Sequence, residues 1–377
     1  MVQTQGSQRI GLNDFVAQWR DVRTDSLAAF ERVGESGWLI LGREVQSFEA
    51  ELAAFWRLPH AVGCASGLDA IEIALRALSI APGDKVLTTP LSAFATSLAI
   101  VRAGGVPVFV DVDASGLLDL ERAADAIQAD PAIKFFVPVH LFGHALDAQQ
   151  LQSVVQLADI QLVEDCAQSC GASSRGTPAG ATGQAAATSF YPTKNLGCMG
   201  DGGALLTRDD RVAAEARSLR DYGQTAKYVH ARLGMNSRLD ELQAAILRSA
   251  LLPRLPQFTE RRQAIARTYR DAIDNAHLTL PPVPAGSASV WHLFPVLVEA
   301  SREAFMAHLD QAGIGSGIHY PTLIPDQQAF AEVRFESRDA LVRARRFANA
   351  EVSLPIHPYM SDQKVKRVID ACNTWQP

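Results

Sequence analysis

The sequence is poor in cysteine and contains no long apolar run. Its five cysteines form no CxxC pair, so neither a disulfide framework nor a zinc site is favoured, and we expect reduced thiols, a cytoplasmic protein and no bound metal. No stretch approaches ~18 uninterrupted apolar residues, which argues against a membrane span. The opening residues, MVQTQGSQRIGLNDF, lack a charged segment followed by an apolar run, so no export signal is expected.

An excess of basic residues is also absent, because the net charge is −6. This balance argues against nucleic acid or an anionic membrane as a partner. Any phosphate site must therefore be built locally, from backbone N–H groups and a few side chains. The sequence does contain 377 residues, of which 47% are hydrophobic and 20% charged, and this composition is typical of a globular protein with a large core.

Short β-rich apolar runs alternate with amphipathic helical patterns over the first ~255 residues. This alternation predicts an α/β fold in which a mostly parallel, seven-stranded sheet is covered by helices on both faces. We assign residues 1–255 to this large domain. The predicted strands are Ala61–Ala65, Lys85–Thr89, Val106–Val112, Ile133–His140, Ile160–Glu164, Ala185–Tyr191 and Gly203–Thr207.

The pattern changes after the proline-rich stretch LPPVPAG. Strands are predicted at Trp291–Val298 and Ile314–Tyr320, with a helix at Ser301–Ala312 between them and two further helical stretches behind. Two longer helices, Leu239–Leu251 and Gln257–Ile273, precede this region. We therefore predict a smaller C-terminal α+β domain over residues 256–377, with the N-terminal segment as a candidate to pack on it.

Unusual polar residues collect at the ends of the predicted strands. Ser66 and Gly67 follow the first strand, His140 ends the fourth, Asp165 follows the fifth, and Lys194 lies just after the sixth. Because ligands of open α/β sheets sit at the carboxyl ends of the strands, these residues are expected to share one pocket.

Lys194 is a candidate nucleophile. A surface lysine is normally solvated and inert, but Lys194 lies between a strand rich in alanine and aromatic residues and the glycine-dense turn GCMGDGG. These surroundings would remove water from its amine and lower its pKa. The glycines do not indicate a dinucleotide site, because they follow a lysine loop and lead into a strand.

Asp165 and Gln168, in the segment LVEDCAQS, admit two interpretations. Asp165 is either a helix N-cap or the partner that keeps a pyridinium nitrogen protonated. In the second interpretation Gln168 addresses the face or the phenolic oxygen of the same ring. The histidines His140 and His319 are likewise either structural residues or substrate contacts.

An anion site is suggested where the segment ASGLDAIEIAL begins a helix. Free N–H groups at a helix start favour an anion, and Gly67 permits close approach of the backbone. Ser66 and Ser189 can add hydroxyl groups. The alternative is an ordinary strand-to-helix turn capped by serine.

A family resemblance now joins these features. GLDAI, PVFVDVD, PVHLFG, EDCAQS, SFYPTKNLG, GMNSRLDELQAAIL and VSLPIHP follow one another in the order found in DegT/DnrJ/StrS-type sugar aminotransferases. The chain resembles this branch of the aspartate-aminotransferase-like, fold type I enzymes, which use pyridoxal 5′-phosphate. A related dehydratase branch has histidine in place of the lysine; Lys194 therefore favours transamination.

The resemblance implies a role for each matching residue. Lys194 would carry the cofactor as a Schiff base and shuttle a proton, Asp165 would pair with the pyridine nitrogen, and Gln168 would lie near the phenolic oxygen. The resemblance further implies a homodimer whose active sites are shared across the interface. Its other expected cofactor contacts are Ser66, Gly67 and Ser189 at the phosphate, and Asn236 reaching the phosphate from the partner subunit.

The ring-stacking and substrate contacts are matched less closely. PLSAFAT is one residue shorter than the usual block, so either Phe94 or Ala93 takes the stacking position. Cys170 stands where histidine is common, and HYPTLIPDQ lacks the usual histidine after its proline. The expected substrate contacts are His140, Tyr191, Tyr228, His319 and Tyr320.

The implied reaction transfers an amino group from L-glutamate to a nucleotide-diphosphate-linked keto-sugar. The segment NSRLD favours amination at the third carbon over the fourth. A keto-cyclitol is an alternative acceptor on the same chemistry. Such a chain could also be a non-catalytic regulatory or binding protein of the same fold, or a cysteine-using lyase or desulfurase.

Overall fold

A layered α/β architecture is formed by residues 9–377, which the computed structural model describes. The opening segment, on which the expectation of no export signal was based, lies partly outside the described residues, because it includes residues 1–8. The α-helices are α1 Phe15–Ser36, α2 Arg43–Trp56, α3 Gly67–Ala77, α4 Phe94–Arg102, α5 Leu120–Ala129, α6 Ala148–Gln156, α7 Asp210–Leu219, α8 Glu241–Ile246, α9 Leu255–Ala272, α10 Arg302–Gln311, α11 Val342–Ala350 and α12 Asp362–Thr374.

The β-strands alternate with these helices in the first part of the chain and become sparse behind it. They are β1 His60–Cys64, β2 Lys85–Thr88, β3 Val106–Phe109, β4 Ile133–Val137, β5 Gln161–Asp165, β6 Ser173–Ser174, β7 Thr177–Pro178, β8 Ala185–Ser189, β9 Gly203–Thr207, β10 Gln224–Ala226, β11 Val229–His230, β12 Ser287–Ala288, β13 Phe294–Leu297, β14 Glu336–Ser337 and β15 Glu351–Leu354.

The central sheet has the order β1-β9-β8-β5-β4-β2-β3-β14. Its strands are parallel except for β9, which is antiparallel to both β1 and β8. The predicted α/β class and all seven predicted strands are confirmed, but the strand count of seven is wrong. An eighth strand, β14, comes from the C-terminal part of the chain and adds in parallel to β3. With only two residues and one pairing partner, β14 carries no hydrophobic pattern that a sequence could reveal.

The carboxyl ends of the parallel strands lie at one edge of the sheet. β5 is buried almost throughout, as expected for a strand covered by helices on both faces, and it ends at Asp165. β8 runs beside it in the same direction and ends at Ser189, five residues before Lys194. The topology therefore delivers the predicted site residues to a common edge.

A second hydrophobic core is formed mainly by residues of the C-terminal region. Its members include the buried side chains of Tyr269, Phe294 and Phe305, and Ile10 near the start of the described chain packs into it. The antiparallel pair β13–β15 forms its small sheet. A separate apolar cluster, with Phe109 on one side and Phe330 on the other, joins this region to the central sheet.

The predicted strand at Ile314–Tyr320 is wrong. Ile314 bridges to Ile10, whereas Gly317 bridges to Ser353, so the two ends of the segment pair with different elements. Gly315 and Gly317 contribute no side chain that would stabilise a ladder between them. The segment is an extended loop that enters the candidate site.

The predicted helix at Leu239–Leu251 is shorter and less regular than expected. It begins at Glu241, and from Leu247 to Leu251 its backbone widens into a π-helical turn. Pro253 follows in a short 3₁₀ turn, and because proline has no N–H group it cannot continue the ladder of the helix. No helix among the described residues has the length and apolar character needed to cross a membrane.

A buried ion pair fastens the first strand to the surrounding helices. The Arg220 guanidinium donates to Glu49 of α2 and to the carbonyl of Gly63 in β1, and Glu49 also accepts from the Gly63 N–H at 2.8 Å. Both charged side chains are almost fully buried. Removing one of them leaves the other charge buried without its partner.

Replacing Arg220 with methionine is therefore expected to lower the free energy of unfolding by about 3–5 kcal/mol, measured by guanidinium denaturation. The matched control is Lys366→Ala, which removes the exposed pair with Asp370 and should change stability by no more than about 0.5 kcal/mol. Equal effects of the two substitutions would contradict this account.

Candidate active site

Lys194 lies in the loop that connects β8 to β9. Its backbone N–H donates to the Tyr191 carbonyl at 2.8 Å, which closes a tight turn. Gly197 permits this turn, because a Cβ atom there would lie 2.4 Å from the Pro192 carbonyl oxygen. Burial lowers the pKa of the Lys194 amine to about 8, while the nearby Asp165 carboxylate acts in the opposite direction. The amine is thus prepared to act as a nucleophile.

Asp165 ends β5 and is almost fully buried. Its Oδ1 accepts from the Ala167 N–H at 3.0 Å and its Oδ2 accepts from the Thr96 hydroxyl at 2.8 Å. Burial raises the pKa of Asp165, whereas these two hydrogen bonds and the charge of Lys194 lower it. A carboxylate has about four lone-pair positions, so Asp165 keeps capacity for a ring N–H donor.

Thr96 is a site residue that the sequence analysis missed. It lies in the first turn of α4 and is completely buried, and its hydroxyl also contacts the Ser92 hydroxyl at 3.1 Å. Its position is visible in PLSAFAT, where a threonine in the first turn of a helix follows a strand end. The prediction instead selected the aromatic residue of that block, Phe94, as the residue that stacks on the cofactor ring.

Gln168 and Tyr320 are hydrogen-bonded to each other. Gln168 donates its amide N–H to the Tyr320 hydroxyl at 3.0 Å, and its carbonyl oxygen accepts from the Phe142 N–H at 2.7 Å. This pair connects the end of β5 to the extended loop 314–320, and it brings two of the predicted residues together. His319, the neighbour of Tyr320, lies close enough to Lys194 for the lysine charge to lower its pKa.

The N-terminus of α3 forms a small anion cradle with the end of β8. Ser66 caps the helix, because its hydroxyl accepts from the Asp69 N–H at 3.1 Å, and its own hydroxyl hydrogen remains available. A Cβ atom at Gly67 would lie 2.7 Å from the Ser189 Cβ, so glycine is required for this close approach. N–H groups in the first helical turn have no partner within the helix and favour an anion.

Ser237 is a second missed residue, and it fastens the Asn236 segment to the cradle. Its buried hydroxyl accepts from the Ala65 N–H at 3.1 Å and donates to Asp69 Oδ2 at 2.7 Å. Asn236 itself is exposed on the surface. Ser237 lies within the block NSRLD, but nothing in a single serine distinguishes a buried double hydrogen bond from a solvated hydroxyl.

The remaining predicted residues have different surroundings. His140 is buried with both ring nitrogens engaged: Nε2 contacts Glu164 Oε2 at 2.9 Å and Nδ1 accepts from the Leu146 N–H at 3.0 Å. Phe94 packs edge-to-face on Phe330, whereas Tyr191 and Tyr228 are exposed on the surface. Among the substrate candidates, the structure therefore brings His319 and Tyr320 to the site, whereas Tyr191 and Tyr228 lie on the surface.

A third missed contact lies beside Lys194. Asn195 donates to the Val290 carbonyl at 3.0 Å, and its Oδ1 lies 3.1 Å from His292 Nδ1, which makes this ring nitrogen the donor. Burial, followed by the charge of Lys194, holds the pKa of His292 well below its usual range. His292 is therefore a neutral ring that links the lysine loop to the C-terminal region.

These residues fit a phosphorylated aromatic aldehyde. Lys194 supplies an amine, Asp165 supplies a buried acceptor for a ring nitrogen, and the cradle of Ser66, Gly67 and Ser189 supplies donors for a phosphate. Among the described residues, no group of three or more histidine, cysteine, aspartate or glutamate side chains is arranged to hold a metal ion.

The depressed pKa of Lys194 gives a testable pH dependence. The neutral amine prevails above its pKa, so labelling of Lys194 by a small aldehyde and borohydride should rise with a midpoint near pH 8; an ordinary lysine has a pKa near 10.4. Asp165→Asn removes the charge that raises the pKa and should move the midpoint to lower pH. Asp201→Asn, on the exposed part of the same loop, should leave the midpoint unchanged. An Asp165→Asn protein with the wild-type midpoint would contradict the pairing of Lys194 with Asp165.

Comparison with known proteins agrees with this geometry. Residues 20–373 match the model of the DegT/DnrJ/EryC1/StrS aminotransferase family. The dTDP-3-amino-3,4,6-trideoxy-alpha-D-glucose transaminase of Streptomyces venezuelae is 40% identical over 97% of this chain and 96% of its own. The erythromycin biosynthesis sensory transduction protein EryC1 of Saccharopolyspora erythraea is 41% identical over 94% of this chain and 96% of its own.

A solved structure is also similar to this chain. Streptomyces venezuelae DesV in complex with a ketimine intermediate superposes with a TM-score of 0.93 and is 40% identical, covering 98% of this chain and 99% of that one. The predicted fold and the predicted cofactor, pyridoxal phosphate, are confirmed. The chain belongs to the DegT/DnrJ/EryC1/StrS aminotransferase family and is a pyridoxal-phosphate-dependent aminotransferase.

Proposed function

We propose that this aminotransferase transfers the amino group of L-glutamate to the third carbon of a nucleotide-diphosphate-linked keto-sugar. The observation that carries the proposal is the partly buried Lys194 amine, whose pKa is lowered by burial and raised by the Asp165 carboxylate, five residues beyond Ser189 of the anion cradle. The name of the Streptomyces venezuelae relative, a 3-amino-sugar transaminase, supports the nucleotide sugar and the third carbon.

Each part of the site has a separate task in this reaction. Bound pyridoxal phosphate supplies the carbonyl group and the conjugated ring that accepts electrons during transamination. Lys194 would hold it through its amine, and the free amine could take a proton from one carbon and return it to another. Asp165 would accept a hydrogen bond from the protonated ring nitrogen, and Ser66, Gly67 and Ser189 would hold the phosphate.

The C-terminal region closes the site from the opposite side. Tyr320 accepts a hydrogen bond from Gln168, and the neighbouring His319 is close enough to Lys194 for the lysine charge to lower its pKa. We assign the acceptor sugar to this side, because it offers polar groups that can bond to hydroxyl and carbonyl oxygens. Gln168 would then stand between the cofactor ring and the substrate.

We also propose a homodimer in which Asn236 completes the partner's phosphate site. The segment around Asn236 exposes large apolar side chains, with Leu233 at 89% and Tyr228 at 80% exposure, and Trp38 on the loop after α1 is 63% exposed. Such exposed apolar groups are typical of surfaces that a partner covers. In a two-fold dimer the same segment serves both sites.

The cytoplasm is the compartment that fits this function best. All five cysteines are buried free thiols. Free thiols persist in reducing compartments, whereas oxidising compartments favour disulfides.

The acceptor is tested with purified protein, pyridoxal phosphate and L-glutamate. We expect amination of a dTDP- or UDP-linked 3-keto-sugar, identified by mass spectrometry and located at the third carbon by NMR, and no product with Lys194→Ala. Product from a 4-keto-sugar alone, or from a keto-cyclitol alone, would contradict the proposed acceptor. A protein that binds no cofactor and turns over no substrate would instead be regulatory, as the name of EryC1 suggests for that relative.

The hydrogen bond from Thr96 is expected to strengthen cofactor binding through Asp165. Thr96→Val keeps the shape of the side chain but removes the donor, so the pKa of Asp165 should rise and its contact with the ring nitrogen should weaken. We expect the dissociation constant of pyridoxal phosphate to increase about 10- to 100-fold, measured by absorbance titration. Ser92→Ala removes the neighbouring hydroxyl, which does not contact Asp165, and should change it little; equal effects would contradict the role of Thr96.

Sharing of the site across a dimer predicts complementation between two defective variants. Lys194→Ala and Asn236→Ala proteins are each expected to lose most activity. After dissociation and mixing in equal amounts, half of the dimers are mixed and each mixed dimer has one intact site, so about a quarter of the wild-type activity should return. A pair of Lys194→Ala and Asp165→Asn proteins is the control, because these residues come from the same subunit and each subunit leaves no site intact. Equal recovery in both mixtures would remove the argument for a shared site.

A further inference from the structure

Strand β15 places two polar side chains on one face inside the C-terminal core. Side chains alternate along a strand, so Glu351 and Ser353 point to one side while Val352 and Leu354 pack in the hydrophobic core on the other. Both polar residues are completely buried. Burial of a carboxyl group is costly unless hydrogen bonds compensate, so its partners are informative.

Those partners are one serine and one histidine. The Ser353 hydroxyl donates to Glu351 Oε1 at 2.5 Å, and the His319 backbone N–H donates to Glu351 Oε2 at 2.5 Å. His319 Nδ1 lies 2.9 Å from the Ser353 hydroxyl oxygen. Backbone hydrogen bonds between Gly317 and Ser353, in both directions, hold the loop against the strand. Glu351, Ser353 and His319 therefore form a continuous hydrogen-bonded chain.

The far end of this chain faces the active site. His319 precedes Tyr320, whose hydroxyl contacts Gln168, and the charge of Lys194 acts on the His319 ring. The remaining ring nitrogen, Nε2, makes no hydrogen bond with any residue between 9 and 377. Nε2 is therefore the atom through which this hydrogen-bonded chain can contact a bound molecule.

Two proton arrangements are possible in this chain. When Glu351 is ionised it can only accept, so Ser353 donates to it and accepts from Nδ1–H, and Nε2 carries no hydrogen. When Glu351 carries a proton on Oε1, it donates to Ser353, Ser353 donates to Nδ1, and Nε2 carries the hydrogen. A single proton on the carboxyl group thus decides which His319 tautomer is present.

We propose that Glu351 and Ser353 form a proton relay that sets the tautomer of His319 and so makes its Nε2 a donor or an acceptor toward substrate. When Nε2 gives up its hydrogen to a substrate oxygen, the Ser353 hydrogen moves to Nδ1 and the Glu351 hydrogen moves to Ser353, so one proton leaves and Glu351 becomes ionised. Return of a proton to Nε2 reverses all three shifts. His319 would touch the substrate, whereas Glu351 and Ser353 are positioning residues.

The charged groups around Glu351 and His319 favour a change of the His319 tautomer while the imidazole ring stays neutral. Glu351 is faced by Arg302 of α10 and by the Tyr320 phenol, and burial raises the pKa of its carboxyl to about 8. His319 is faced by Lys194 and His292, and burial followed by the charge of Lys194 lowers its pKa to about 4. The ring is therefore neutral from pH ~6 to ~9, and over this range the carboxyl group passes from protonated to ionised.

The relay is tested by ¹⁵N NMR of the full-length holoenzyme labelled at histidine, with the His319 signals assigned from a His319→Asn variant. In the wild type, we expect the hydrogen to move from Nε2 to Nδ1 as the pH rises through about 8. Glu351→Gln should keep the hydrogen on Nε2 at every pH, because the amide oxygen must accept from the His319 N–H and its NH₂ group then donates to Ser353. Ser353→Ala should abolish the coupling, and Glu303→Gln, an exposed change in α10, should resemble the wild type.

The result that would overturn the relay is a single His319 tautomer across the whole range in the wild type, or a Glu351→Gln protein that still changes tautomer. The pH profile of kcat/KM gives a second measurement: a relay predicts that Glu351→Gln loses the wild-type inflection near pH 8, whereas a purely structural role would lower stability and leave the inflection. The inference rests on the proposed function only for the substrate that His319 meets. Failure of sugar amination would leave the NMR result standing, and failure of the relay would leave amination standing.

Discussion

The burial of one amine beside one carboxyl group is the constraint on which the rest of the site depends. Removing water from Lys194 lowers the pKa of its amine, and removing water from Asp165 raises the pKa of its carboxyl. Each charge partly offsets the cost of burying the other. The hydrogen bonds from Ala167 and Thr96 are needed because Asp165 must remain a strong acceptor in a place that disfavours its charge.

The sheet topology makes this arrangement possible. β5 and β8 are neighbours and run in the same direction, so Asp165 and the lysine loop leave the sheet side by side. β9 returns antiparallel to β8, and the connection between them, residues 190–202, holds Lys194 in a tight turn. The C-terminal region then covers the open side with the loop of His319 and Tyr320. The candidate cofactor residues thus come from the central sheet and its loops, whereas the C-terminal region supplies the loop that contacts them.

The sequence predicted the fold class and seven strands of the central sheet, and it indicated Lys194, Asp165 and the Ser66–Gly67 pair, whose roles at the cofactor stay a prediction. These features are local: apolar runs reveal strands, and a lysine, an aspartate and a Ser-Gly pair at strand ends reveal a pocket. The missed residues are Thr96, Ser237, Asn195 and, in the C-terminal core, Glu351. Each makes a hydrogen bond to a residue that is distant in sequence. No spacing rule indicates such contacts, because a threonine or serine hydroxyl is equally common in solvent.

The errors in the predicted elements have a similar origin. The segment 314–320 has the apolar alternation of a strand, but its partners, Ile10 and Ser353, come from two different elements. β14 is too short to carry a pattern, and its pairing with β3 depends on how the C-terminal region folds back. The domain limit at residue 255 stays a prediction, since the chain contacts the central sheet again far beyond that point.

The double hydrogen bond of Ser237 has a thermodynamic consequence. Its hydroxyl joins the surface segment that carries Asn236 to Ala65 and Asp69 at the start of α3, so the wall of the phosphate cradle is tied directly to the exposed patch that the proposed dimer would cover. Ordering either part costs less conformational entropy once the other is ordered. Binding of phosphate in the cradle and association of the proposed dimer are then thermodynamically linked. Because linkage is reciprocal, the factor by which bound phosphate increases the association constant of the subunits equals the factor by which association increases the affinity for phosphate.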